Sequence, residues 1–211
     1  MINRELYMEQ ITPFIDKPFV KVITGIRRCG KSVVLRLIRE ELLRRGVSED
    51  HIIYMNFESF EWMDVKEAKA LYTYIREVTK VSGKYYILLD EIQEVTDWEK
   101  AVNAFLVDLD ADIYVTGSNS RLLSSEFSTY LAGRYVAFHI MTLSFREYLL
   151  FHNVPLAISA SDRKAEFLKY LRMGGFPAIH TANYDYNAIY KIVYDIYSCL
   201  LYTSPSPRDT R

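Results

Sequence analysis

The chain has 211 residues, half of them hydrophobic, and carries 26 basic against 27 acidic side chains for a formal net charge of −1. That composition suits a globular protein with one sizeable core, or one core and a small appendage, and it supplies no global field to draw the molecule to nucleic acid or an anionic membrane. No run approaches the apolar length of a membrane span, the start Met1-Ile2-Asn3-Arg4-Glu5 lacks the regions of a signal peptide, and two cysteines, Cys29 and Cys199, make no disulfide framework, so the expected location is the cytoplasm.

Asn3 to Ile15 reads as a short amphipathic helix with Leu6, Ile11 and Phe14 apolar, closed by Asp16-Lys17-Pro18 before a first strand, Phe19 to Thr24. Gly25-Ile26-Arg27-Arg28-Cys29-Gly30-Lys31-Ser32 follows, a full match to the phosphate-loop pattern of glycine, four free positions, then Gly-Lys-Ser. It stands where a strand hands over to a helix, as the motif requires. The glycines let successive amide groups turn inward on a phosphate at the positive end of the new helix; Lys31 adds a point charge for the β- and γ-phosphates, and the Ser32 hydroxyl is placed to ligate magnesium. The nucleotide-binding set is Gly25, Ile26, Arg27, Arg28, Cys29, Gly30, Lys31, Ser32 and Val33. The helix runs on to about Arg45 with Val34, Leu35, Ile38 and Leu42 inward, and Gly46 caps it. Arg36, Arg39, Arg44 and Arg45 read as a solvated face rather than a nucleic-acid patch, because Glu40 and Glu41 stand four residues before Arg44 and Arg45.

His51 to Phe57 is a second strand, followed by a polar and aromatic loop from Glu58 to Asp64 and a helix from Val65 to about Lys80. Tyr85-Tyr86-Ile87-Leu88-Leu89-Asp90-Glu91 then gives a buried strand with two carboxylates at its C-terminal end. In phosphate-loop proteins the acid ending such a strand holds magnesium, here Asp90, and Glu91 is placed to take a proton from the attacking water; without the loop upstream the pair would read equally well as a solvated strand end. Thr96-Asp97-Trp98-Glu99 has the form of a capping box opening a helix through Phe105 and Leu109. Asp112 to Thr116 is a fourth strand, ending in Gly117-Ser118-Asn119-Ser120, where Ser118 or Asn119 would feel the γ-phosphate or position water; loop and helix-cap chemistry is the competing reading.

A short helix from Ser124 to Leu131 stops near Gly133, and Tyr135 to Ile140 is a fifth strand. Ser144-Phe145-Arg146-Glu147 is another capping box. Asp162 to Met173 and Tyr186 to Tyr197 read as helices of a small subdomain, joined through Gly174-Gly175-Phe176-Pro177. Tyr184, Tyr186, Tyr190, Tyr194 and Tyr197 would serve as a stacking platform for bases or, as helical spacing favours, as packing. The histidines, His51, His139, His152 and His180, show no metal-ligand spacing and are read as structural. Residues 199–211 break every pattern and look like the translation of a sequencing-library adapter, in which case the chain would be a fragment of a longer gene product; a natural disordered Ser/Pro tail is the competing reading. The expected fold class is therefore α/β, a three-layer arrangement on a parallel five-stranded sheet with a small helical subdomain: core 1–150, helical subdomain 151–198, foreign tail 199–211.

With both nucleotide motifs in view, the chain resembles a family of bacterial and archaeal AAA-type ATP-binding proteins over about Ile11 to Pro177. Besides the phosphate loop, the resemblance rests on Leu89-Asp90-Glu91-Ile92-Gln93, Thr116-Gly117-Ser118-Asn119-Ser120, Leu131-Ala132-Gly133-Arg134 and Leu143-Ser144-Phe145-Arg146-Glu147-Tyr148. Members look considerably longer and usually carry a C-terminal domain of unknown function. The resemblance implies that the fourth strand lies between the phosphate-loop strand and the acidic strand, that the nucleotide is ATP with Mg2+, and that Arg134 is either a surface arginine or one acting on transition-state charge in cis or across a contact between copies. What hydrolysis drives is open: a magnesium-dependent ATPase coupled to other work, an ATP-dependent switch that recruits a protein partner, or a nucleic-acid-binding regulator, the last disfavoured by balanced charge.

Overall fold

The computed structural model describes residues 3–117, 130–180 and 186–203. Five strands, β1 (Val20–Gly25), β2 (Ile52–Asn56), β3 (Tyr85–Asp90), β4 (Ala111–Gly117) and β5 (Tyr135–Ile140), form one sheet in the order β2-β3-β4-β1-β5 with every pair parallel. β4 lies between the phosphate-loop strand and the acidic strand, as the resemblance implies. A helix α1 (Glu5–Ile11) precedes β1, and α2 (Lys31–Arg44), α3 (Ala68–Val78) and α4 (Trp98–Asp108) separate the first four strands in sequence. Parallel strands covered on both faces must be apolar nearly throughout, which is why β1 and β3 are buried at every position.

The two faces are filled differently. Because side chains alternate along a strand, Val20, Val22, Met55, Ile87, Leu89, Ile113 and Val115 share one face, where they pack with Leu71 and Ile75 of α3 and Val102 and Phe105 of α4. The residues between them, Lys21, Tyr54, Tyr86, Asp90, Asp112, Tyr114 and Thr116, belong to the other face. Near the start of the strands this polar row closes on itself. The buried Lys21 ammonium donates to Asp112 Oδ1 and to the Lys17 carbonyl (2.9 Å), while Asp112 Oδ2 accepts from the Tyr114 hydroxyl and the Asp16 amide, each at 2.8 Å. Asp16 in turn accepts from the Tyr86 hydroxyl at 2.8 Å.

Local signals decide the helix ends. At the end of α2 the amide of Gly46 bonds Leu43 O and that of Val47 bonds Leu42 O, with Gly46 at φ 88°, so the glycine satisfies the last carbonyls in a Schellman turn. Arg44 and Arg45 both bond Glu41, so this basic face is salt-bridged and solvated. The expected capping box at Thr96 does not form. Thr96 instead makes a parallel bridge to Glu67, and Asp97, at φ 59°, is the N-cap of α4 without a side-chain cap bond. The helix starts one residue later than the box requires, so Thr96 stands outside the capping position.

The chain divides into two compact units, one of Asn3–Ile26 and Lys31–Ile140, the other of Met1–Ile2, Arg27–Gly30 and Met141–Arg211. In the second, α5 (Phe145–Phe151), α6 (Ala160–Met173) and α7 (Tyr186–Thr203) occur, with no strand among the described residues. Ser144 and Glu147 form the full reciprocal capping box on α5. Gly175 is forced: its carbonyl accepts from the Leu143 amide at 2.7 Å, and an added Cβ would come within 2.5 Å of Leu143 O. The aliphatic stripe Ile189, Ile192, Val193 and Ile196 of α7 packs with Phe176 and Ile179. Packing is therefore not the role of Tyr190 and Tyr194, which are exposed because two stripes of helical spacing compete for one inner face and the aliphatic one occupies it; Tyr197, though half exposed, sets its ring edge-on to Phe176 at 6.1 Å, and Tyr184 lies outside the described residues.

Candidate functional site

A fully parallel sheet delivers all its C-terminal strand ends to one edge, and register pairs Thr24 with Gly117 and Asn56 with Asp90 there. The loop from Gly25 to Gly30 leaves that edge. Arg28 at φ 65° and Gly30 at φ 105° take the left-handed backbone needed to reverse the chain before Lys31 opens α2. Ile26, Arg27 and Arg28 have exposed side chains, Cys29 is buried, and Ser32 and Val33 are half-buried in the first turn of α2.

Lys31 is 4 % exposed. Its ammonium lies 3.4 Å from the carbonyls of Gly25 and Ile26 and 3.3 Å from Glu91 Oε1, so the loop's cation and the second carboxylate of the acidic strand meet. The other Glu91 oxygen accepts from Gln93 Nε2 at 2.6 Å. Glu91 itself sits at φ 54°, a strained conformation for a side chain with a Cβ, held by a hydrogen bond from its amide to Thr116 Oγ1 at 2.9 Å.

Asp90 is fully buried. Thr116 Oγ1 donates to its Oδ1 at 2.5 Å and the Tyr54 hydroxyl to its Oδ2 at 3.0 Å. Burial first, and the Asp90 charge second, push the Tyr54 phenol well above its ordinary range, so it remains a donor. Each Asp90 oxygen keeps a second lone pair beyond these bonds. Thr116 therefore orients both acidic residues at once, one through its hydroxyl proton and the other through its lone pair. Tyr54, Thr116 and Gln93 were not picked out as site residues from the sequence. The available signal was a hydroxyl at the end of an otherwise apolar buried strand, and, for Gln93, its place two residues after a carboxylate.

Ser118 and Asn119 lie outside the described residues. Arg134 precedes β5, its carbonyl accepting from the Val20 amide at 2.9 Å and its guanidinium donating to Asn103 Oδ1 of α4 at 2.9 Å. This is the opposite edge of the sheet, about five residues of strand rise, roughly 15–20 Å, from the level of Gly25. The Arg134 guanidinium is thus engaged with α4 at the start of the strands rather than with the phosphate loop. Among the described residues no group of three or more His, Cys, Asp or Glu side chains could hold a metal, and no helix is long and apolar enough to cross a membrane.

Strand order, the glycine-bounded loop between β1 and α2, and the acidic end of β3 define an α/β protein with the fold of the phosphate-loop nucleoside triphosphatases. Residues 17–149 match the family described as AAA domain, and the chain belongs to it. It is 45% identical over 184 residues to an uncharacterized protein of Haemophilus influenzae, covering 87% of this chain and 46% of that one. It is 35% identical over 184 residues to an uncharacterized protein of Methanocaldococcus jannaschii, covering 85% and 39%. The chain thus spans less than half the length of either relative. Among solved structures, DnaA of Aquifex aeolicus bound to AMPPCP is similar with a TM-score of 0.54 at 15% identity, covering 92% of this chain and 62% of that one; the likeness is one of fold.

Proposed function

We propose that this protein binds ATP with magnesium and hydrolyses it, Glu91 acting as general base. The observation that carries the reading is the meeting of Lys31 with Glu91 at 3.3 Å beside the buried Asp90. The loop amides and Lys31 hold the triphosphate. Oxygen donors suit magnesium, and Ser32 and Asp90, with its spare lone pairs, would hold it, phosphate oxygens and water completing the shell. Bound there, the ion neutralises charge on the phosphates. Glu91 accepts a proton from water as the water oxygen bonds to the γ-phosphorus and the bond to the bridging oxygen of ADP breaks. Ser118 and Asn119 follow β4 in sequence and are the proposed γ-phosphate contacts. Arg134 would reach a phosphate across a contact between copies.

One observation favours a second reading, an ATP-dependent switch. Both Glu91 oxygens are engaged, by Lys31 and by Gln93, so the base must be released before it can accept a proton. ATP binding and single-turnover hydrolysis of wild type, Lys31→Ala and Glu91→Gln, with folding checked by circular dichroism, separate the readings. Lys31→Ala is expected to lose ATP affinity, and Glu91→Gln to bind ATP but hydrolyse it about 10²–10⁴-fold more slowly. Glu91→Gln turning over at the wild-type rate refutes the base assignment, and wild type that binds without turnover selects the switch.

A further inference from the structure

Gln93 stands in the short 3-10 helix Ile92–Glu94 that follows the acidic strand. Its neighbours fix it there. Ile92 and Val95, three residues apart and so on one side of the turn, are buried in the core with Leu71 of α3 and Val102 of α4, while the Glu94 amide donates to Glu91 O at 3.1 Å and the Val95 amide to Ile92 O at 2.9 Å. Glu91, at φ 54°, turns the chain back on itself, and the Gln93 side chain meets the Glu91 carboxylate.

Chemistry fixes which way round the amide sits. Its Nε2 donates to Glu91 Oε2 at 2.6 Å, a short bond of the kind made to an ionised acceptor; turned over, it would set its own oxygen against a carboxylate. Gln93 Oε1 is therefore the far end of the amide, where it is buried and accepts from no donor among the described residues. A buried acceptor without a donor is unfavourable, so this placement does nothing for the fold by itself. Both atoms belong to one small planar group, and a single water can bond Oε1 and the Glu91 carboxylate together.

We propose that Gln93 is a second catalytic residue beside Glu91: Nε2 holds the base in place while Oε1 accepts a hydrogen bond from the attacking water. The proposal rests on the hydrolysis reading above. The two hydrogens of the water then have two acceptors. One stays on the water oxygen, bonded to Gln93 Oε1, and fixes the direction of the lone pair that attacks the γ-phosphorus; the other passes as a proton to Glu91 as the new bond to phosphorus forms, and the bridging oxygen of ADP takes the electron pair of the bond that breaks. The Gln93 bond uses one lone pair of Oε2 and leaves others to accept the proton. Release of the base thus means the departure of Lys31 alone, and the phosphates it is proposed to hold draw it away.

The test is single-turnover hydrolysis and ATP affinity of the 211-residue chain, wild type against Gln93→Met, Glu91→Gln and the double variant, with folding checked by circular dichroism. Methionine keeps the shape of the side chain and lacks the amide. Gln93→Met is expected to hydrolyse ATP about 10–10²-fold more slowly at an ATP affinity within about twofold of wild type. Added to Glu91→Gln it is expected to slow the reaction by less than about a further threefold, because the two side chains act on one water. Gln93→Asn, which keeps the amide but withdraws it by one methylene, takes the place of Gln93→Met if that variant does not fold, with the same pattern expected. Hydrolysis by Gln93→Met faster than wild type overturns the proposal, since Gln93 is then a restraint on Glu91. So does an undiminished further loss in the double variant, or a loss of ATP affinity that matches the loss of rate, which marks a structural role. Wild type that binds ATP without turnover takes down the hydrolysis reading and this proposal with it; wild-type turnover that Gln93→Met leaves unchanged takes down this proposal alone.

Discussion

The buried pair Lys21–Asp112 can be broken and then removed, and the two results should differ in size. Lys21 is wholly buried on β1 and Asp112 is 2 % exposed on β4. Burial pulls the Lys21 ammonium below its usual range, and the Asp112 charge opposes that pull. Asp112 accepts three hydrogen bonds, from Lys21, the Tyr114 hydroxyl and the Asp16 amide. Replacing one partner, as in Lys21→Met, leaves a carboxylate facing only neutral donors, and Asp112→Asn leaves an ammonium against an amide. Breaking a buried pair from one side costs about 3–5 kcal/mol, whereas replacing both partners by neutral groups of similar volume is near neutral. For a chain of this size each kcal/mol moves Tm by about 2–4 °C, so each single variant should melt roughly 6–20 °C lower and Lys21→Met/Asp112→Asn within a few degrees of wild type. Urea titration followed by circular dichroism gives the free energies and thermal scans give Tm. A coupling energy below about 1 kcal/mol in this double-mutant cycle would refute the argument that the pair is mutually dependent.

Thr116→Val keeps the shape and removes the hydroxyl, leaving Asp90 Oδ1 one bond short and the Glu91 amide without its acceptor. A loss of about 1–3 kcal/mol in urea titration is expected, with slower hydrolysis at little changed ATP affinity; wild-type stability would show that water replaces the hydroxyl freely. The second unit should be acid-sensitive. His180 Nε2 donates to the Gly174 carbonyl, which can only accept, so its Nδ1 receives the proton of His152 Nε2 at 3.1 Å. Burial pushes both imidazoles below the ordinary 6.5, with Glu166 opposing the shift at His152 and Gly174 opposing it at His180. A depressed pKa in the folded state means stability that is complete above pH 6.5 and lost as pH falls below it, because the unfolded chain takes up protons first. Histidine resonances followed by NMR between pH 7 and 4 should titrate late for these two rings, and unshifted midpoints would contradict the packing.

Much of the fold was legible because its carriers are local. Runs such as Tyr85–Leu89 and the glycine-bounded loop each declare themselves within a few residues, and Gly46 and Ser144 act on their own helix ends. What escaped depends on neighbours distant in sequence. Lys21 sits in an apolar run where alternation alone gives no sign that Asp112 waits opposite. Thr96 has capping chemistry, but the helix begins after Asp97 and leaves it one residue outside the cap. The α7 tyrosines match helical spacing as well as the aliphatic stripe does, and packing chooses between them. At the site, Lys31, Asp90 and Glu91 follow from motif chemistry, whereas Thr116 and Tyr54 matter only because β4 and β2 flank β3.

The strand order also governs when the phosphate loop can acquire its setting during synthesis. β1 is among the first elements made, yet its two neighbours are the last strands, Lys21 pairing with Tyr114 and Val20 with Tyr135. Until β4 and β5 emerge from the ribosome, β1 has no strand to pair with, and its apolar edges are open to wrong partners. The pairing of β2 with β3 closes a far shorter loop and can precede it. The sheet cannot be complete until β1 lies between β4 and β5, so a nascent chain has no phosphate loop anchored between strands until most of the sheet-bearing unit has been translated.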